Sequence, residues 1–334
     1  MASVPDSGIA TQFSTAHFNT AHFLVQPSEP ICISGGEPDP HATDSQAVAK
    51  TPLTPVTKQE PAFFAQNFDE KAKHEPVHPA IPPLPTRRLW GIDFSSVSAQ
   101  QSLDRIDVLV FRHDPAFVIT ANLNYVMLCD ANVNLPIVTQ QAAMVLCDGM
   151  PILWRSRFDT QSLPERVAGS DLIYKICERA AFRGHRVYFL GAAEGVAQKA
   201  ADRLANMYPG LIVAGVDCPP FREWNEFDRE SINCKIIAAK PDILLVAFGQ
   251  PKGEFWIYEN YKKLGVPVSI QLGATFDFVA GTARRAPKIF QRIGLEWLYR
   301  ALSQPVRLVP RYWKNFCFLL KTLRQEIIAS ASQE

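Results

Sequence analysis

An α/β fold, a mostly parallel Rossmann-like sheet with helices on both faces, is the architecture this sequence predicts, together with a disordered N-terminal tail and a C-terminal helical appendage. Three observations carry the prediction. From Arg87 onward, short runs rich in Val, Ile and Leu alternate with helix-period segments, the order expected of a parallel sheet with crossover helices. Residues 1–86 hold thirteen of the 26 prolines and five of the seven histidines, with no sustained apolar period. From about Thr282 to the C-terminus, ten Lys/Arg face three Asp/Glu, with aromatic and aliphatic residues interleaved.

The tail, residues 1–86, buries too little apolar surface to offset the entropy of ordering it. Its histidines (His17, His22, His41, His74, His78) match no ligand spacing, so a solvated tail is the better reading than a metal site. Residues 87–281 form the predicted folded domain. Its clearest strands are 117–120, 144–147, 186–190, 211–214, 243–248 and 268–271, each apolar and closed by a polar or glycine-containing turn. Helical patterns near 98–112, 170–183, 194–207, 227–239 and 252–263 complete a βαβ series. Residues 282–334 read as a basic amphipathic helix pair, in which Pro305 and Pro310 are expected to interrupt any single long helix. Two readings stay open for this segment: docking on an anionic membrane surface, or packing of its apolar face on the sheet.

Composition narrows the function. The 334 residues are 47% apolar with a formal net charge of +1, so the chain has no global electrostatic footprint for nucleic acid, which is not an expected partner. The seven scattered cysteines contain no C-x-x-C, and a reducing cytoplasm fits them best. Neither a signal peptide nor a membrane span is visible, which suggests a soluble or peripheral protein. No D-x-D pair offers a diphosphate-bound metal a handle, and neither a metal nor another cofactor is expected. The glycines of "LGAAEGVAQ" lack the G-x-G-x-x-G spacing, which argues against a nicotinamide-dependent oxidoreductase, and no P-loop occurs.

In an open parallel sheet, ligands bind beyond the carboxyl ends of the strands, so polar residues there are the candidates. Thr120 and Asn122 close the first main strand with a hydroxyl and an amide suited to a sugar or its phosphates, or to a turn and a cap. Asp148 follows an apolar strand and precedes Gly149. It suits a general base for an attacking hydroxyl, and equally an Asx-turn. Arg166 lies just before a helix that Ser170 and Asp171 are expected to open as cap and first-turn residues, where its guanidinium suits a diphosphate or an ordinary surface pair. Gly191 is a candidate phosphate or ribose contact between strand and helix.

Together, "TANLNYV", "CDGMP", "RVAGSDL", "RVYFLGAAEGVA", "PDILLVAFGQPKGEFW" and "GATFDFVAGTARRAPKIFQRIGLEWLYRALSQPVRLVPRY" resemble, in order and spacing, the WecG/TagA/CpsF glycosyltransferases, also called glycosyltransferase family 26. The resemblance covers roughly Leu89 to Leu319. It implies an inverting transferase that moves N-acetylmannosamine, its uronic acid or a related hexose from a UDP-sugar donor to a lipid-diphosphate-linked glycan acceptor, in cell-surface polysaccharide synthesis. It also implies peripheral attachment to the inner face of the plasma membrane and a homo-oligomer. By this resemblance Thr120 and Asn122 contact substrate, Asp148 is the base and Arg166 is the active-site arginine, while Arg285, Arg307 and Arg311 of the appendage hold a diphosphate. One departure stands out. The family commonly reads P-K/R-Q-E where this chain has Pro251-Lys252-Gly253-Glu254, so the substrate-contacting glutamine is missing. Gln250 is the nearest substitute, and donors such as UDP-glucose, UDP-glucuronate or UDP-N-acetylglucosamine enter consideration. A non-catalytic protein that binds UDP-sugars or lipid glycans at a membrane is the alternative from another class.

Overall fold

The computed structural model describes residues 81–219 and 226–331. The tail reading falls mostly on residues 1–80, outside the described residues.

Ahead of the main sheet lies a hairpin that is absent from the strands expected from the sequence. Strands β1 (Thr86–Leu89) and β2 (Ile92–Ser95) pair antiparallel across Trp90 and Gly91, both at positive φ, as a two-residue hairpin turn requires. Ser95 Oγ accepts the Val145 N–H at 3.1 Å, which lays the hairpin against the edge of the main sheet. Helix α1 (Ala99–Arg112) starts at a capping box formed by Ser98 and Gln101.

The main sheet is fully parallel and six-stranded. Its strands are β3 (Ala116–Ala121), β4 (Met144–Cys147), β5 (Arg186–Gly191), β6 (Ile212–Asp217), β7 (Ile243–Ala247) and β8 (Val268–Gln271), ordered β4–β3–β8–β7–β5–β6. All six expected strands are present, and β4 and β8 end where the apolar runs end. The crossovers are α2 (Leu123–Ala131) and α3 (Asn134–Gln140), α4 (Met150–Ser156) and α5 (Gly169–Arg183), α6 (Val196–Met207), α7 (Glu226–Ala239) and α8 (Lys252–Leu264). After β8 follow α9 (Thr275–Ala280), α10 (Lys288–Arg292), α11 (Glu296–Ser303) and α12 (Pro305–Ala331).

Two apolar cores, one on each face, fix this arrangement. On one face Leu103, Ile173, Ala197 and Phe276 bring α1, α5, α6 and α9 onto the sheet. On the other, Tyr125, Leu135, Ile152, Ile236 and Trp256 do the same for α2, α3, α4, α7 and α8. Strands β3, β4, β7 and β8 are buried on both sides, which is why they read as continuous apolar runs and not as alternation, while the edge strand β6 is only partly buried. The helices after β8, β7 and β5 leave on alternating faces, α9 on one, α8 on the other and α6 back on the first.

Two expectations need correction. Pro310 does not break the last helix: α12 runs through it from Pro305. Pro305 fills the first helical position, where no N–H is needed, and the carbonyl that Pro310 cannot pair belongs to Val306, a residue 92% exposed, where the lost bond costs little. Nor does Ser170 cap α5. The helix begins at Gly169 with Ala168 as its unassisted N-cap, because Gly169 packs tightly over Thr120 and Leu272. Asp171 does lie in the first turn.

The appendage packs on the domain through one stripe of α12, where Leu308, Asn315, Phe318 and Thr322 are buried. Arg155 of α4 binds Glu326 at 2.8 Å, and Lys321 approaches Asp130 of α2 at 3.6 Å. Its other side leaves Val309, Trp313, Phe316, Leu320 and Ile327 exposed. No described helix is long and apolar enough to cross a membrane.

Candidate active site

Asp148 directly follows β4, and its N–H is tied to the Ala121 carbonyl of β3 at 2.9 Å. Its neighbour Gly149 approaches Asn122, to within 3.6 Å of Asn122 Cα for an added Cβ. The ends of β3 and β4 therefore bring Asp148 and Asn122 together at the carboxyl edge of the sheet. Asp148 is partly exposed there, but burial pushes its carboxyl from the ordinary 3.8 up to about 7. Arg166 opposes the rise and Glu296 adds to it, while the Gly169 N–H at the start of α5 and Arg300 pull it down. A carboxyl so poised can hold or release a proton near neutral pH.

Around it lies a cluster of alternating charge. Arg166 Nη1 donates to Glu296 at 3.2 Å and Nη2 approaches Asp171 at 3.5 Å. Arg285 grips both oxygens of Asp171, at 2.6 and 2.7 Å, and its Nε lies 3.9 Å from Glu296. Burial works against the Asp171 carboxylate, but the paired bonds from Arg285, with Arg166 and Lys175 nearby, outweigh it and hold its pKa below the ordinary value. Asp171 and Glu296, the latter in α11, are both shared between Arg166 and Arg285.

Gln250 and Arg311 meet through a residue not singled out from the sequence. Asn124 Nδ2 donates to Gln250 Oε1 at 3.1 Å, and Asn124 Oδ1 accepts from Arg311 Nε at 3.0 Å. This ties the β7–α8 loop, α2 and the appendage into one line. The signal in the sequence was a second asparagine two residues after Asn122, which could have marked a polar helix start at a strand end.

The remaining candidates are placed differently. Thr120 is 3% exposed and its hydroxyl donates to the Gln271 carbonyl at 2.8 Å, which uses its proton within the sheet. Asn122 caps α2, its Oδ1 accepting the Tyr125 N–H at 3.2 Å. Gly191 ends β5 at φ +111°, where a Cβ would meet the Ala247 carbonyl oxygen at 2.8 Å, so strand packing alone demands glycine there. Three strand spacings, about 14 Å, separate it from β3. Arg307 belongs to α12, but its side chain lies outside the described residues.

The profile of the family described as "Glycosyl transferase WecG/TagA/CpsF family" matches residues 87–332. Among curated relatives, the N-acetylglucosaminyldiphosphoundecaprenol N-acetyl-beta-D-mannosaminyltransferase of Bacillus spizizenii (strain ATCC 23059 / NRRL B-14472 / W23) is 33% identical over 192 residues, 58% of this chain and 73% of the relative. The protein of the same description from Staphylococcus aureus (strain NCTC 8325 / PS 47) is 28% identical over 219 residues, 64% of this chain and 83% of the relative.

Proposed function

The chain belongs to the WecG/TagA/CpsF glycosyltransferase family, and from that premise we propose that it transfers a hexose from a UDP-sugar to a lipid-diphosphate-linked N-acetylglucosamine, with Asp148 as general base. The observation that carries the reading is the Asp148 carboxyl: it stands at the carboxyl edge of the sheet, with a pKa near neutrality and arginines beside it. In the proposed step the carboxylate takes the proton of the acceptor hydroxyl as that oxygen bonds to the anomeric carbon. The bond from that carbon to the UDP oxygen breaks, its electron pair leaves with UDP, and the configuration inverts. The Gly169 N–H orients the carboxylate. Arg166 and Arg285 exchange part of their bonding to Glu296 and Asp171 for the diphosphate, and Arg311 approaches it from the appendage. Asn122, whose amide nitrogen makes no hydrogen bond within the described residues, stands at the same edge.

The relatives' names specify an undecaprenyl-diphosphate acceptor, and a lipid-borne acceptor requires the enzyme to work at a membrane. The exposed aromatic face of α12, with Lys314, Lys321 and Arg324 on the same helix, is suited to the inner surface of the plasma membrane, where anionic lipids attract cations and Trp313 and Phe316 enter the headgroup region. The sugar is N-acetylmannosamine or a glucose- or glucuronate-type hexose.

The test is UDP release across a panel of UDP-sugars with a short-chain lipid-diphosphate N-acetylglucosamine acceptor. Acceptor-dependent UDP release from one donor is expected. Donor binding without turnover in the presence of acceptor would replace the reading with a binding protein.

A further inference from the structure

Gly253 is in the first turn of α8, and its backbone is not among those at positive φ. A helix gives no conformational reason for glycine and is weakened by one. Space supplies the reason. A Cβ at 253 would lie 2.1 Å from Gln271 Nε2 and 2.6 Å from its Cδ, so a side chain at 253 and the Gln271 carboxamide compete for one volume. That volume lies at the carboxyl end of β8, the strand between β3 and β7.

Gln271 is firmly held there. Its Nε2 donates to the Phe248 carbonyl at 2.8 Å, its own carbonyl accepts from Thr120, and it is 1% exposed. Its Oε1 nevertheless has no hydrogen-bond partner, and neither does either oxygen of the fully buried Glu254 next along α8. Gln250 and Gln271 both approach that carboxyl without forming a bond of good geometry to it. Gln250 continues to Asn124 and Asn124 to Arg311. Buried acceptors left without donors are rare in folded proteins and call for an explanation: a carboxyl that is 0% exposed meets no ligand, but burial raises the Glu254 pKa to about 7, and the proton it then holds supplies the missing donor to a neighbouring carboxamide oxygen.

We infer that Gln271 is a specificity-determining positioning residue at the carboxyl edge of the sheet: its carboxamide backs the Glu254 carboxyl that Gln250 flanks from the other side, this line fixes where the transferred sugar sits, and Gly253 is small to admit it. This rests on the UDP-sugar transfer reading. It also accounts for the glycine that departs from the family pattern, since the amide is delivered from β8 and not from the start of α8. Exchanging the two residues should then conserve both the volume and the chemistry.

The experiment uses the full chain as wild type, Gln271→Gly, Gly253→Gln and the double exchange, with kcat and KM measured over the UDP-sugar panel and melting temperatures beside them. Gln271→Gly should lower kcat/KM for the preferred donor about tenfold or more and flatten the discrimination among sugars. Gly253→Gln alone should melt lower and lose activity, because two carboxamides collide. The double exchange should recover stability and most of the lost kcat/KM, a coupling that independent sites would not show. Wild-type kcat/KM and donor ranking in Gln271→Gly would overturn the inference. So would a double exchange no better than the worse single variant in either activity or melting. Should wild type release no UDP from any donor, the transfer reading itself fails and the inference with it; the other negative outcomes leave that reading standing.

Discussion

Replacing Asp148 by asparagine separates the cost of keeping a carboxyl at the sheet edge from the use made of it. The folded pKa of about 7 stands about three units above the ordinary 3.8, which at about 1.4 kcal/mol per unit gives an upper bound near 4 kcal/mol. The sign follows from which state ionises first. Below about pH 4 the carboxyl is protonated in both states and costs nothing. Between about pH 4 and 7 the unfolded chain ionises while the folded one does not, so stability falls as pH rises, and the loss is complete above about 7. Asparagine does not titrate. The variant should therefore gain on wild type across that window and then hold a constant lead, below the upper bound because solvent reaches the sheet edge. At about 2–4 °C per kcal/mol, several degrees of melting temperature are at stake, readable by thermal denaturation at a series of pH values. In the same preparations acceptor-dependent UDP release should fall about 10²–10⁴-fold. A stability difference that stays flat from acid to neutral pH would refute the burial argument, and a normal rate in folded variant would refute the assignment of the base.

Three further outcomes can be checked with the same protein. Arg166→Ala removes the charge that holds the Asp148 pKa down, so the acid limb of the pH–kcat/KM profile should move to higher pH while the rate falls about 10²-fold or more; an unmoved limb denies the coupling. Thr120→Val leaves the Gln271 carbonyl without its buried donor and should cost about 1–2 kcal/mol in urea denaturation, a loss whose absence would mean the bond contributes nothing to the sheet. Trp313→Ser combined with Phe316→Ser strips the exposed face of α12 and should weaken binding to anionic vesicles several-fold without shifting the melting temperature; equal binding would leave the appendage a packing element only.

The strands were legible from the residues alone, because residues buried on both faces of a parallel sheet must be apolar throughout, and such runs can be read without knowing their partners. It placed the polar candidates at the strand ends for the same reason, and the motif pattern carried the family. It could not show what those candidates touch. Thr120 and Gly191 read as ligand contacts, yet one bonds a neighbouring carbonyl and the other is demanded by strand spacing, facts that depend on residues 151 and 56 positions away. Asn124 and Glu296 became visible only when distant helices met, because hydrogen bonds and ion pairs between crossovers leave no periodic trace. Position alone suits Asp148 to a base and to a turn alike; its burial, and hence its proton affinity, is a property of what packs around it. Gly253 looked like a loss from the motif, and only the packed sheet end revealed Gln271 in its place, since two side chains that compete for one volume are neighbours in space and not in the chain.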